Sequence, residues 1–238
     1  MVVDLHVHTR TSSKCSELEP GDMILRARSS GLDAVAVTEH GTIHGARVAR
    51  DLGLKMGFPV FLGVEVYTPG GDILVFGVEE ELLPDMAFDE LHALVGKKGG
   101  MMVLAHPARG YWGHRRKYKG LPPREVLGRV DAVEVLNGGC SYHENVLATR
   151  MASEYGLPQV GGSDAHAPGE LGRCVTVFPR GAESMEELIA MVMGGECRAA
   201  YLEEAPARSA LARHGAPSAP ARQRNPERKC APICSDKG

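Results

Sequence analysis

Histidines and carboxylates recur in six short segments of this 238-residue chain. His6 and His8 come first, then Glu39 with His40, Glu65, His106, Glu134 with Asn137, and finally Asp164 with His166. Residues two apart on a strand face the same way. His6 and His8 therefore share a side, with Asp4 behind them, and Asp164 and His166 share another. Two imidazoles so placed can bind one ion without helical geometry. Imidazole plus carboxylate, without clustered thiolates, suits Zn2+, Mn2+ or Fe rather than a structural cysteine zinc site. Five histidines and three or more carboxylates exceed what one ion needs. The expectation is two or three divalent metal ions, with Glu65 or Asp164 able to bridge. The expected ligands are His6, His8, Glu39, His40, Glu65, His106, Asp164 and His166. Bound metal lowers the pKa of its water to roughly 7, and paired metals stabilise charge on the attacking and leaving oxygens of a phosphate. The chemistry on offer is hydrolysis by a metal-activated hydroxide. Glu65 and Asp164 would be essential to it, and His166 or another site histidine would protonate the leaving oxygen.

A lone histidine near a strand end is usually an ordinary polar residue. That reading holds for His92, inside a helical pattern, and for His214, in a polar tail. His44 reads as a helix start. It does not account for six segments delivering the same side-chain types.

Substrate phosphate also needs positive charge. The segment after His106 supplies Arg109, His114, Arg115, Arg116, Lys117 and Lys119, with Tyr111, Trp112 and Tyr118 between them. Arginine suits bidentate phosphate contact, and aromatic rings can stack a base. An ordinary solvated loop would look the same. Arg109, nearest His106, is the first candidate for substrate binding; Asn137 and His143 follow. Glu134 reads as a buried acid behind the ligands.

These side chains must be positioned by strands. Strand-like runs at 2–8, 33–40, 59–68, 72–78, 100–106, 131–137, 159–164, 173–178 and 198–202 alternate with helical runs at 21–30, 44–56, 88–98, 122–130, 142–155 and 185–193. The Pro69-Gly70-Gly71 turn pairs the third and fourth runs. Such alternation argues for a parallel sheet under helices. Runs apolar on both faces, such as Ala34-Val35-Ala36-Val37, argue for burial on both sides. About seven βα units in roughly 200 residues fit a small (β/α) barrel, with an open doubly wound sheet as the alternative. In a parallel barrel the C-terminal strand ends converge on one face, where the six segments would meet.

The bulk numbers fit a globular domain: 43% hydrophobic, 24% charged, net charge −3. The molecule is therefore not a nucleic-acid-binding polycation. No basic leader followed by an apolar stretch opens the chain, and no run of 18 apolar residues exists. The expected compartment is cytoplasmic, with the six cysteines as free thiols. Residues 1–204 read as one domain. From Ala205 to Gly238 the chain is rich in Ala, Pro and Arg and poor in bulky apolar residues, which predicts a disordered basic tail. Cys230 and Cys234 in that tail lack a second ligand pair.

The segments Asp4-Leu5-His6-Val7-His8-Thr9, Thr38-Glu39-His40, Gly63-Val64-Glu65, Ala105-His106-Pro107 and Gly162-Ser163-Asp164-Ala165-His166 resemble, in order, the motifs of the polymerase-and-histidinol-phosphatase (PHP) family. The resemblance implies a distorted (β/α)7 TIM-like barrel, up to three metal ions, and hydrolysis of phosphate mono- or diesters. It places His6, His8, Glu65 and Asp164 around one ion, with Glu65 bridging to a second that His106 also holds. His40 and His166 would hold a third. Glu39 stands where the family often has Asp, as a ligand or a residue behind one. Where many members carry a further Asp or His after His8, this chain has Arg10-Thr11-Ser12-Ser13-Lys14-Cys15, one ligand short at the third position. Between Val78 and Gly100 no clear extra histidine serves the second.

The leading expectation is a phosphoesterase acting on a small phosphorylated metabolite, a nucleotide or a short nucleic acid, with no membrane partner. Histidinol-phosphate and phosphotyrosine phosphatases are alternatives within the resemblance. A non-catalytic metal-binding module is opposed by the number of ligands retained and by the lack of any polymerase region. A metal-dependent amidohydrolase usually carries a strand-end lysine as a carbamate bridge, and these strand ends have none.

Overall fold

The computed structural model describes residues 1–82, 86–110 and 124–205. The basic aromatic segment 111–119 and the tail from 206 onward lie outside the described residues. Nine strands form one sheet: β1 (Val2–Val7), β2 (Ala34–His40), β3 (Val60–Thr68), β4 (Gly71–Phe76), β5 (Met101–Leu104), β6 (Ala132–Asn137), β7 (Gln159–Gly162), β8 (Cys174–Val177) and β9 (Arg198–Tyr201). Between them run α1 (Pro20–Ser29), α2 (His44–Met56), α3 (Phe88–Lys98), α4 (Arg124–Leu127), α5 (Tyr142–Glu154) and α6 (Met185–Met193).

Local sequence sets these bounds. Pro20 opens α1, where a missing N–H costs nothing. Gly57 and Gly99 end α2 and α3 in the left-handed conformation that glycine adopts freely. Ser141 and Glu144 form a reciprocal capping box that starts α5 just beyond Asn137.

The strand order is β7-β6-β5-β4-β3-β2-β1-β8-β9. β1–β2–β3 and β5–β6–β7 pair in parallel, whereas β4 runs antiparallel to both β3 and β5, and β8 antiparallel to β1 and β9. The sheet is therefore mixed rather than wholly parallel: the short Pro69–Gly71 turn leaves no room for a crossover helix, so β4 returns as a hairpin. The sheet curls into a nearly closed barrel. At the seam, Val7 bridges Ala165; the His8 N–H donates to the Ala165 carbonyl at 3.0 Å and the Asp164 N–H to the His6 carbonyl at 2.7 Å. Thr176 Oγ1 replaces a ladder bond across β7 and β8, accepting from the Gly161 N–H at 2.9 Å and donating to its carbonyl at 2.8 Å.

Two apolar layers result. Val35, Val37, Val64, Val66, Ile73 and Val75 face the helices, together with Ile24 of α1, Ala46 of α2 and Val95 of α3. Val3, Leu5, Ala34, Ala36, Leu74, Phe76 and Val103 fill the barrel, and Leu188, Met191 and Val192 of α6 plug the end where the parallel strands begin.

Strict alternation would put His6 and His8 on the side of Val2, opposite Val3 and Leu5. A β-bulge prevents this. Asp4 pairs with Val35 but Val7 with Val37, so β1 spends three residues where β2 spends two. After the bulge Val7 faces the helices while His6 and His8 enter the ligand cluster. A second register shift between Glu134 and Leu136 does the same for Asn137.

Candidate metal centre

The seam and the two bulges bring the strand-end ligands together at the mouth opposite α6. His6 and His8 are fully buried, and their Nε2 atoms lie 3.0 Å apart. Asp164 Oδ1 is 3.1 Å from His8 Nε2 and 3.4 Å from His6 Nε2. Glu65 Oε2 lies 3.4 Å and 3.6 Å from the same two nitrogens. His106 Nε2 is 3.1 Å from Glu65 Oε1. His40 and His166 both stack against the His8 ring, at 4.2 Å and 4.4 Å between centroids, and lie 5.7 Å from each other.

The hydrogen bonds behind the rings fix what they present. His6 Nδ1 donates to Glu134 Oε1 at 3.0 Å, which leaves its Nε2 lone pair toward the cluster. Ser13 Oγ gives its proton to Glu39 and so accepts from His8 Nδ1 at 3.4 Å, turning His8 Nε2 inward as well. Two bare imidazole nitrogens then face each other beside two carboxylates. Glu65 Oε2 is buried and accepts no aligned hydrogen bond, although His40 Nδ1 is 2.8 Å away. Such an arrangement is costly unless a cation sits among these atoms. The donor set therefore fits divalent metal. Without an ion, a proton takes its place. Burial opposes charge on His6, but Asp164, Glu134 and Glu65 outweigh it and hold its pKa well above 6.5. Burial and the neighbouring His6 charge push His8 down to about 4. Burial would raise Glu65 and Asp164, yet His6 and the other imidazoles keep both well below the ordinary carboxylate range.

Four sets of three side chains have ligand atoms all within 4.8 Å of one another: His6–His8–Glu65, His6–His106–Asp164, His8–His40–His166 and Glu65–Asp72–His106. Asp164 and His106 hold φ of +54° and +27°. Left-handed backbone at a residue other than glycine costs on the order of 1–3 kcal/mol and collects where side chains must be aimed.

The other expected residues sit as follows. Glu39 joins none of these sets; its buried carboxylate accepts from the Thr9 backbone N–H at 3.1 Å and from the Thr9 and Ser13 hydroxyls, behind His8. Glu134 also accepts from the His106 N–H at 2.9 Å and from Asn137 Nδ2 at 2.9 Å. Asn137 Oδ1 in turn accepts from Arg109 at 2.6 Å, and Arg109 reaches Asp164 Oδ2 at 2.5 Å. Arg109 thus stands at the edge of the cluster, while Asn137 is buried and positions it. His143 is exposed on the first turn of α5, its ring 5.8 Å from that of Tyr142.

Sequence reasoning missed two participants. Ser13 carried no signal beyond its place in a polar loop. Asp72 did carry one: with Leu74 and Phe76 it forms the inward-facing alternate positions of β4, a pattern that points a carboxylate into the mouth.

A nearly closed barrel carries this cluster at the C-terminal ends of its parallel strands, an arrangement able to hold divalent metal. The PHP domain matches residues 4–149 and the PHP-associated region residues 142–197. The chain belongs to the PHP family. An uncharacterized protein of Methanocaldococcus jannaschii is 30% identical over 182 residues, 75% of this chain and 70% of that protein. The phosphoribosyl 1,2-cyclic phosphate 1,2-diphosphodiesterase of Eggerthella lenta is 35% identical over 86 residues, 34% of this chain and 32% of that enzyme. A two-domain Bacteroides vulgatus protein containing a predicted PHP-like metal-dependent phosphoesterase superposes with a TM-score of 0.68 at 20% identity, over 84% of this chain and 64% of that one. The lesion-specific endonuclease Q of Pyrococcus furiosus does so at 0.61 and 21%, over 84% and 58%. This chain therefore spans less than two thirds of either solved protein.

Proposed function

We propose that the chain hydrolyses the phosphate ester of a small phosphorylated metabolite or nucleotide, using two or three divalent ions of Mn, Zn or Fe. The observation that carries this reading is the buried Glu65 Oε2, which accepts no aligned hydrogen bond and faces bare imidazole nitrogens, with the Arg109 guanidinium at the edge of the cluster. His6, His8, Glu65 and Asp164 would hold one ion, Glu65 and His106 a second, and His40 and His166 a third. Bound divalent ions acidify water to a pKa of roughly 7 and neutralise phosphate charge.

The protein's own groups do the rest. Glu134 and the Ser13–Glu39 pair fix the tautomers of His6 and His8. Arg109, 38% exposed at its side chain, swings from Asp164 to clamp phosphate oxygens. His166 keeps Nδ1 on the Asp164 carbonyl at 2.9 Å, so Nε2 is the one atom left either to hold the third ion or, with only two ions bound, to protonate a leaving oxygen. The Eggerthella enzyme cleaves a ribose-linked cyclic phosphate, and endonuclease Q has been seen with duplex DNA bearing an abasic lesion at its active site. Both support a phosphodiester on a sugar as the first substrate class to try.

The test is turnover of generic monoesters, nucleotide diesters and short oligonucleotides by metal-stripped protein reloaded separately with Mn2+, Zn2+ or Fe2+. Metal-dependent turnover that Asp164→Ala abolishes is the expected result. Tight metal binding with no turnover on any ester would favour a non-catalytic metal-binding module instead.

A further inference from the structure

The PHP resemblance leaves the second ion position without its extra histidine, since the stretch between Val78 and Gly100 offers none at a strand end. The hairpin supplies a different donor. β4 runs antiparallel, so its first residues, not its last, lie at the mouth. Asp72 occupies an inward position there, opposite Tyr67 of β3. Its carbonyl accepts from the Ala105 N–H at 2.9 Å, which locks β4 beside the residue preceding His106. Its carboxylate, the Glu65 carboxylate and a His106 ring nitrogen all lie within 4.8 Å of one another. Glu65 is buried with an oxygen lacking any aligned hydrogen bond, and His106 is held at a positive φ.

We propose that Asp72 is a metal ligand of this protein, completing with Glu65 and His106 a second divalent site. The inference rests on the reading of the mouth as a multinuclear metal centre. Two carboxylates and one imidazole make the site richer in oxygen than the His6–His8 position. Oxygen donors favour harder ions, so the site accepts Mn2+ more readily, relative to Zn2+, than the histidine-rich positions do. Asp72 is part-exposed, so an ion can reach its carboxylate from solvent.

The test counts ions and does not depend on turnover. Metal-stripped wild type, Asp72→Ala, Asp72→Asn and Asp72→His are loaded with Mn2+ or Zn2+, desalted and analysed for metal per chain. Both Asp72→Ala and Asp72→Asn should lose about one Mn2+ per chain relative to wild type. Asp72→His should recover the equivalent with preference shifted toward Zn2+. His92→Ala, on the surface of α3, should keep the wild-type count. Thermal melts separate a lost site from a lost fold, and the near-isosteric Asn variant guards against the latter. An unchanged Mn2+ count in both Asp72→Ala and Asp72→Asn would overturn the assignment. Wild type that binds ions at all positions yet cleaves no ester would sink the hydrolase reading while leaving the Asp72 ligand intact.

Discussion

At the residue scale, the centre is a set of imidazoles whose protons are assigned by their neighbours. His6 has Glu134 on one nitrogen and the cluster on the other. In the ion-free fold it carries a proton, because its pKa there lies well above 6.5. Metal needs the neutral ring, so binding must expel that proton. Affinity should therefore rise about tenfold per pH unit while pH stays below the folded pKa. Calorimetry in two buffers of different ionisation enthalpy should show a binding heat that tracks the buffer; identical heats would mean His6 carries no proton to lose. The same sign governs the ion-free protein. Its His6 contribution to stability is complete below pH 6.5 and fades as pH climbs through the higher folded value. The convergence of these side chains was legible from their spacing, and their grouping around ions only from the family resemblance. His6, His8, His40, His106, Asp164 and His166 sit at or just past strand ends, Glu65 lies near one, and strand ends converge. Glu39 was legible as a polar group in the right place, but its role depended on which side of β2 it faced. It is next to His40, and neighbours on a strand face opposite ways.

At the element scale, the strands are shaped as much as placed. The bulge in β1 was invisible because no proline or glycine marks it, and Val3, Leu5 and Val7 alternate without a break with Asp4, His6 and His8. The β6–β7 pair shows why small residues were needed opposite it. A Cβ on Gly162 would stand 2.5 Å from His6 Cβ and 2.7 Å from Glu134 Oε1. Gly162→Ala should therefore push apart the ring and the carboxylate that orients it. Overpacking of this kind typically costs 1–3 kcal/mol. Denaturant unfolding should show that loss together with weaker metal binding. A variant with wild-type stability and affinity would mean the strand yields without disturbing His6. Helix bounds were easier to read, since Pro20, Gly57, Gly99 and Ser141 are local signals. The antiparallel direction of β4 was half-read: its turn announced a hairpin, but not that the hairpin would sit inside an otherwise parallel run.

At the scale of the whole molecule, the barrel separates stability from chemistry. α6 closes the end remote from the ligands, and its Leu188 is completely buried against the inner layer. Leu188→Ala should cost about 2–5 kcal/mol of folding free energy by emptying a packed site. Metal content per folded chain should not change; a matching fall in bound metal would show that the plug and the mouth are coupled. Four cysteines among the described residues are unpaired, and no helix there is long and apolar enough to cross a membrane. The βα alternation carried the barrel. What it could not carry was closure, which depends on pairing between residues far apart in sequence.

That pairing has a consequence in time. The Ser163 N–H bonds to Asp4 across 159 positions of sequence, and the His6 and His8 backbones meet Asp164 and Ala165 beside it. A ribosome releases His6 and His8 early and Asp164 late. Contacts of such separation form slowly, because a long loop must close before they reward the chain. During synthesis the first two histidines stand in water as an isolated pair, a weak trap for any passing ion. The full ligand set comes together only once Asp164 and His166 have emerged and docked beside β1, so a site for metal is a product of barrel closure and not of any local segment.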